Sequence, residues 1–200
     1  MSASKQHPPL HFSIAVADQA TQITTLVNTA FRSEPTGQTW LYDDQSKRID
    51  ILPPGVAATL ITSTDSLMLV GTLPGNTTPI TTCFLRKPST PPQAHMSESA
   101  AWFGLLAVQP EYHGRSYGIA TLREAERYVR DEWGIGRLEM DYVNARTELA
   151  QWYHRCGYEP TGKIRDFPYG DGGREILADG LEMIVLGKDL RSIGMTPVLF

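Results

Sequence analysis

The sequence predicts a single mixed α/β domain, and three observations carry that prediction. Strand-like and helix-like apolar periods follow one another in the order β-α-α-β-β-β-α-β-α-β-β. Ala100 to Val108 is a nearly continuous apolar run, as expected of a central strand buried on both faces. The chain has 200 residues, 41% hydrophobic and 20% charged, enough to bury one core without metal or disulfide staples.

Each element has its own signal. Residues 1–9 read as a disordered lead-in, residues 10–190 as the folded domain and residues 191–200 as a tail. His11 to Ala17 alternates like a strand. Asp18 is placed to cap a helix in which Ile23, Leu26, Val27, Ala30 and Phe31 share one face. Pro53 and Pro54 open a short helix over residues 55–62. Ser66 to Leu73 and Ile80 to Arg86 read as strands joined by the turn Pro74-Gly75-Asn76. Lys87 to Ser99, rich in Pro, Ser and Thr, reads as a loop before the central strand.

From Tyr117 a helix carries Ile119, Leu122, Ala125, Val129 and Trp133 inward, with Arg123, Glu124, Arg127 and Arg130 outward, and Gly134 stops it. Leu138, Met140 and Tyr142 alternate in a further strand. Thr147 to Cys156 is a short helix ended by Gly157. The last strands fall around Tyr158 to Ile164 and Leu181 to Leu186, separated by a loop over residues 166–173 that is too long and aromatic for a plain connector.

Bulk properties narrow the function. The net charge is −4, which gives no electrostatic case for nucleic acid. No apolar run approaches the ~20 residues that span a bilayer. The two cysteines, Cys83 and Cys156, form no CxxC pair, which points to a reduced cytoplasmic setting and away from a metal site.

The chemistry concentrates after the central strand. Leu105 to Ala120 reads as a strand ending at Pro110, a small basic turn and the start of a helix. Such a turn gathers backbone N–H groups and the positive end of a helix dipole at one point, a site for phosphate. The Gly-Lys-Ser/Thr ending of a P-loop is absent.

Two segments resemble the GNAT superfamily of acyl-CoA-dependent N-acyltransferases. In Val108-Gln109-Pro110-Glu111-Tyr112-His113-Gly114-Arg115-Ser116-Tyr117-Gly118, counted from Pro110, His113 stands where that family has Gln or Arg. Ser116 stands for its first glycine, and Gly118 keeps the second. A shifted register over Arg115 to Ala120 fits the letters but breaks the spacing from Pro110. The second segment, Leu149-Ala150-Gln151-Trp152-Tyr153-His154-Arg155-Cys156-Gly157-Tyr158, is similar to the family's helix ending in tyrosine, three residues, glycine and an aromatic. Arg146 occupies the usual asparagine position, and Asn144 lies two residues earlier. The two motifs stand roughly 35 to 40 residues apart with a strand between them.

The resemblance implies a mostly antiparallel twisted sheet with helices on both faces, and acetyl-CoA as co-substrate with no metal. It assigns the pantetheine arm to the backbone of Leu106, Ala107 and Val108. The phosphates fall to the amides from about Gly114 to Gly118, Ser116 and Tyr117 among them, with the side chains of Arg115 and His113 to pair with their charge and Ala120 just beyond; the alternative is an ordinary strand-to-helix turn with surface basic residues. Further cofactor contacts fall to Asn144 or Arg146 and to Tyr153. Tyr153 is the expected catalytic acid, since amine attack on a thioester expels a thiolate that a phenol can protonate. The alternative is a core tyrosine on an amphipathic helix.

No residue is compelled as the base, since water chains often take the amine's proton; Glu34 is the candidate, with Glu139 and Asp141 as further carboxylates on one strand face, and each is otherwise a solvated carboxylate. Trp40, Tyr42, Trp102, Asp141, Phe167 and Tyr169 are expected to shape the acceptor pocket, with packing as the other role for the tryptophans. An aromatic wall with an acidic floor suits an amine with an apolar body. The expected reaction is direct transfer of acetyl to a small primary amine, with no nucleic acid or membrane partner and a homodimer left open. The rivals are a peptide or protein N-acetyltransferase and a non-catalytic CoA-binding module.

Overall fold

The computed structural model describes residues 7–32, 51–53, 55–93, 95–168 and 179–191. Its elements are β1 (His11–Ile14), α1 (Ala20–Arg32), α2 (Val56–Thr62), β2 (Ser66–Thr72), β3 (Thr81–Arg86) and β4 (Ala101–Val108). These are followed by α3 (Tyr117–Asp131), β5 (Arg137–Val143), α4 (Thr147–Arg155), β6 (Glu159–Asp166) and β7 (Glu182–Asp189). The order matches the sequence reading, and the result is a mixed α/β fold with a mostly antiparallel open sheet. The seven strands lie in the order β1-β2-β3-β4-β5-β7-β6. β4 and β5 run parallel, with Ala101 opposite Leu138 and Trp102 opposite Glu139.

By contacts the chain forms two compact units, residues 1–84 with 105–124, and residues 85–104 with 125–200. In the first, β1 pairs antiparallel with β2 from His11 on Thr72 to Ile14 on Leu69. Ile23, Leu26 and Val27 of α1 are buried, as are Ala57 of α2 and Met68, Leu69 and Val70 of β2. Burying each large side chain contributes about 1.5–3 kcal/mol. Asn28 is buried yet satisfied: its amide nitrogen donates to the Leu52 carbonyl and its oxygen accepts from the Leu52 N–H, both at 2.9 Å.

Two expectations fail in this unit. Asp18 does not cap α1; it lies inside a 3-10 turn, Ala17–Gln19, that precedes the helix. The Val16 N–H instead donates to Gln19 Oε1 at 3.0 Å, so a glutamine reaching back serves the entry. Phe31, on the expected apolar face, is an exposed large hydrophobic residue near the helix end.

In the second unit β5 and β7 pair antiparallel along their whole length, Arg137 on Asp189 to Val143 on Met183. β6 joins β7 antiparallel with an irregularity between Pro160 and Ile164, where Gly162 takes φ +83°. Ala125, Val129, Leu138, Met140, Tyr158, Val185 and Leu190 fill the core. The alternation expected along β5 is interrupted, because Glu139 is also buried. Its carboxylate accepts from Ser97 Oγ at 2.8 Å, from the Ser97 N–H at 3.2 Å and from Arg137 Nε at 2.8 Å, which makes the burial tolerable.

Candidate active site

The segment after β4 is built by its backbone. Within β4 the chain leaves extended geometry at Leu105, which has φ +50°. A branched side chain in that region is strained by roughly 1–2 kcal/mol, which marks a deliberate bend in the strand. Ala107 is buried, and its carbonyl accepts from Thr81 Oγ1 at 2.8 Å, while Leu106 and Val108 are half-buried. Gln109 then ties the strand end to the start of β3: its N–H donates to the Ile80 carbonyl at 2.8 Å and its side chain to the Pro79 carbonyl at 3.1 Å. A 3-10 turn over Pro110–Tyr112 follows.

His113 folds back so that Nε2–H donates to the Val108 carbonyl at 2.9 Å. Gly114 has φ +73°, and a Cβ there would meet nothing within 4 Å, so backbone angle rather than space demands glycine. Arg115 is exposed and stacks on the Tyr112 ring at 5.1 Å. Ser116 has φ +63°, at the position the sequence aligns with the family's first glycine.

Tyr117 opens α3 with its ring buried and its hydroxyl on the Pro8 carbonyl at 3.2 Å, so it faces the core. The Ala120 N–H donates to the Ser116 carbonyl at 3.1 Å and begins the helical ladder. The amides of Ser116, Tyr117, Gly118 and Ile119 therefore precede the first helical bond, at the positive end of the dipole.

The corner after α4 is built by side chains. Asn144 donates from Nδ2 to the Gly180 carbonyl at 3.0 Å, while among the described residues its buried Oδ1 has no hydrogen-bond partner. Arg146 stands at the start of α4, paired with Glu148. Tyr153 is buried on α4, with its ring edge-on to Trp152 at 4.9 Å and to Tyr158 at 6.1 Å. Gly157, at φ +89°, ends the helix, and the Tyr158 N–H returns to the Tyr153 carbonyl at 3.1 Å.

Of the expected acceptor residues, the structure links Trp102 and Asp141. Arg165 donates to Asp141 and sits 6.0 Å over the Trp102 ring, and the His95 ring meets Trp102 edge-on at 4.5 Å. Burial pushes the Asp141 carboxyl up, against the pull of Arg165. His95 is pushed down to about 4 by burial and by the cations Arg165, Arg86 and Lys163. Phe167 is buried just after β6. Glu34, Trp40, Tyr42 and Tyr169 lie outside the described residues.

Sequence reasoning missed four side chains that organise this unit: Arg165, His95, Glu126 and Lys188. Glu126 carried a readable signal, as an acid beside the apolar position Ala125 on α3. The partners that neutralise it are distant in sequence. Among the described residues no cluster of His, Cys, Asp and Glu could hold a metal ion, and no helix is long and apolar enough to cross a membrane.

The model of the acetyltransferase (GNAT) family matches residues 27–158. No curated protein sequence matches the chain. Solved structures share the fold. An acetyltransferase of the GNAT family from Streptococcus pneumoniae is 13% identical, with 90% of this chain and 98% of that one covered and a TM-score of 0.60. The ribosomal-protein-S18-alanine N-acetyltransferase of Escherichia coli is 12% identical, with 96% and 99% covered and a TM-score of 0.59. A spermidine N-acetyltransferase chimera from Vibrio cholerae is 13% identical, with 90% and 96% covered and a TM-score of 0.59. With the family model matching most of the chain and the strand-turn-helix segment inside the match, this protein belongs to the GNAT family and is an acyl-CoA-dependent acetyltransferase.

Proposed function

We propose that the protein moves an acetyl group from acetyl-CoA to the primary amine of a small molecule, by direct attack within a ternary complex. The observation that carries this reading is the turn after β4. Gly114 and Ser116 bend the backbone at φ +73° and +63°, just ahead of the unladdered amides of Ser116 to Ile119. A diphosphate needs several converging donors, and Arg115 adds a cation beside them.

A second coenzyme contact in this reading is Asn144. The buried, unpartnered Oδ1 of Asn144 is an acceptor that a pantetheine amide N–H would satisfy. An orphaned buried acceptor costs about 1–3 kcal/mol, so ligand binding would recover that loss. Asn144 rather than Arg146 is the natural successor to the family's asparagine, since Arg146 is engaged with Glu148. Leu106, Ala107 and Val108 would offer backbone groups to the arm as an added strand does.

Bound acetyl-CoA supplies an acetyl group activated as a thioester. Tyr153 holds a phenolic proton and would deliver it to the departing sulfur. A backbone N–H of Leu106 or Ala107, beside the bend at Leu105, would stabilise charge on the carbonyl oxygen. Trp102 and Phe167, with Trp40, Tyr42 and Tyr169, would shape the acceptor pocket. Asp141, shared with Arg165, would serve as a polar wall, and Glu34 is the proposed base.

Thiol release from acetyl-CoA, measured with spermidine, phenethylamine and an alanine-terminated peptide, tests the reading. Turnover is expected with a small amine, and Tyr153→Phe should lower kcat about a hundredfold with little change in the KM for acetyl-CoA. Turnover with the peptide alone would move the acceptor to the protein class. Tight coenzyme binding without thiol release would overturn the enzymatic proposal.

A further inference from the structure

Beside Tyr153 the second unit buries a charged pair that the reaction does not itself use. Glu126 of α3 and Lys188 of β7 meet at 2.8 Å, their side chains only 6% and 17% exposed. The same carboxylate oxygen, Oε1, accepts from the Tyr158 hydroxyl at 3.0 Å. The Lys188 ammonium also donates to the Cys156 carbonyl at 2.8 Å and lies 5.4 Å over the Tyr158 ring. Its stem passes beneath the Gly157 turn, where a Cβ would stand 3.4 Å from Lys188 Cε. One cation thus binds both the C-terminal end of α4 and the carboxylate that orients Tyr158.

Tyr158 in turn touches Tyr153 twice, through the edge-on ring contact at 6.1 Å and through its N–H on the Tyr153 carbonyl at 3.1 Å. A buried ion pair is a poor source of net stability, because desolvation offsets most of its attraction, and apolar residues of equal size often do as well. Three elements converge on this one, which gives it a directional role that apolar packing lacks. Burial and the Glu126 charge push the Tyr158 phenol well above its ordinary range, so it stays a donor to Glu126.

We propose that Glu126 and Lys188 are positioning residues for Tyr153, locking Tyr158 and the end of α4 so that the Tyr153 phenol keeps one orientation toward the leaving sulfur. The proposal rests on Tyr153 being the acid. The test compares the charge-free double variant Glu126→Met/Lys188→Met with wild type, each with and without Tyr153→Phe. Thiol release from acetyl-CoA is followed with the fastest amine of the panel. The double variant removes both charges together and leaves no lone buried ion; because the buried Tyr158 hydroxyl loses its acceptor, it should still fold but melt somewhat below the wild-type temperature. The variant Glu126→Gln/Lys188→Met, which keeps an acceptor for Tyr158 and leaves no buried charge, supplies a second comparison.

The double variant is expected to lose about tenfold or more in kcat, with the KM for acetyl-CoA changed less than about twofold. In the Tyr153→Phe background the same two substitutions should cost nothing further, since residues acting as a unit are not additive. Glu126→Gln/Lys188→Met, with the acceptor for Tyr158 restored, should recover part of the loss. Equal losses in both backgrounds, or an unchanged kcat in the double variant, would overturn the positioning role and leave Tyr153 as the acid. A wild-type kcat for Tyr153→Phe alone would instead overturn the acid assignment, and this proposal with it.

Discussion

The turn after β4 is made of backbone, whereas the corner after α4 is made of side chains, and they differ in what they tolerate. In the turn His113 and Ser116 depart from the family's usual residues, yet the shape survives: Gly114 and Ser116 take positive φ and α3 still opens on unladdered amides. A site built from N–H groups depends on dihedral angles, and a serine can hold a left-handed angle at modest expense. The corner is held instead by named side-chain atoms, with Tyr158 between the Tyr153 ring and the Glu126–Lys188 pair. There no neighbouring residue can stand in for a lost one.

The comparison breaks most readily at Glu126. Glu126→Ala leaves Lys188 buried without its carboxylate and should destabilise the protein by about 3–5 kcal/mol in denaturant unfolding. A loss under about 1 kcal/mol would mean that the pair behaves as a surface ion pair. Next in size is the chemical step. Tyr153→Phe should raise the barrier by about 2.7 kcal/mol, read as kcat, whereas Arg115→Ala in the turn should act chiefly on the KM for acetyl-CoA.

The backbone claim is sharpened by opposite substitutions two residues apart. Gly114→Ala forces a Cβ onto φ +73° and should cost about 1–2 kcal/mol, with weaker coenzyme binding in calorimetry. Ser116→Gly relieves a similar angle and should leave stability and the coenzyme Kd nearly unchanged, because glycine's extra unfolded-state freedom offsets the relief. If both substitutions weaken binding equally, side chains rather than angles govern the turn.

A separate expectation is a pH dependence from His95, which is only half-buried. Its pKa is lowered from 6.5 to about 4 by burial first and then by Arg165, Arg86 and Lys163. The unfolded chain therefore binds the extra proton first as pH falls. The stabilising share of the neutral ring is complete above about pH 6.5 and is lost down through about pH 4. His95→Gln should flatten that part of the stability curve, and a ring titrating near 6.5 by NMR would remove the effect.

Much of this protein was legible as letters. Element order, the central strand, the glycine-ended α4 and the strand-turn-helix segment after β4 follow from local periodicity, Pro and Gly placement and helix termini, which act over a few residues. Helix entry at α1 was misread because Gln19, not Asp18, reaches the free amide. Both choices fit the local pattern.

What the letters left open were partnerships across long sequence separations. Nothing near Glu139 or Asp141 announces that Ser97 and Arg165 will hold them, and nothing near Glu126 names Lys188, 62 residues away. A lone acidic residue reads as solvated because burial without a partner is prohibitive. Local pattern sets where strands, turns and helices form; folding alone brings the opposite charges and hydroxyls together that let carboxylates sit inside.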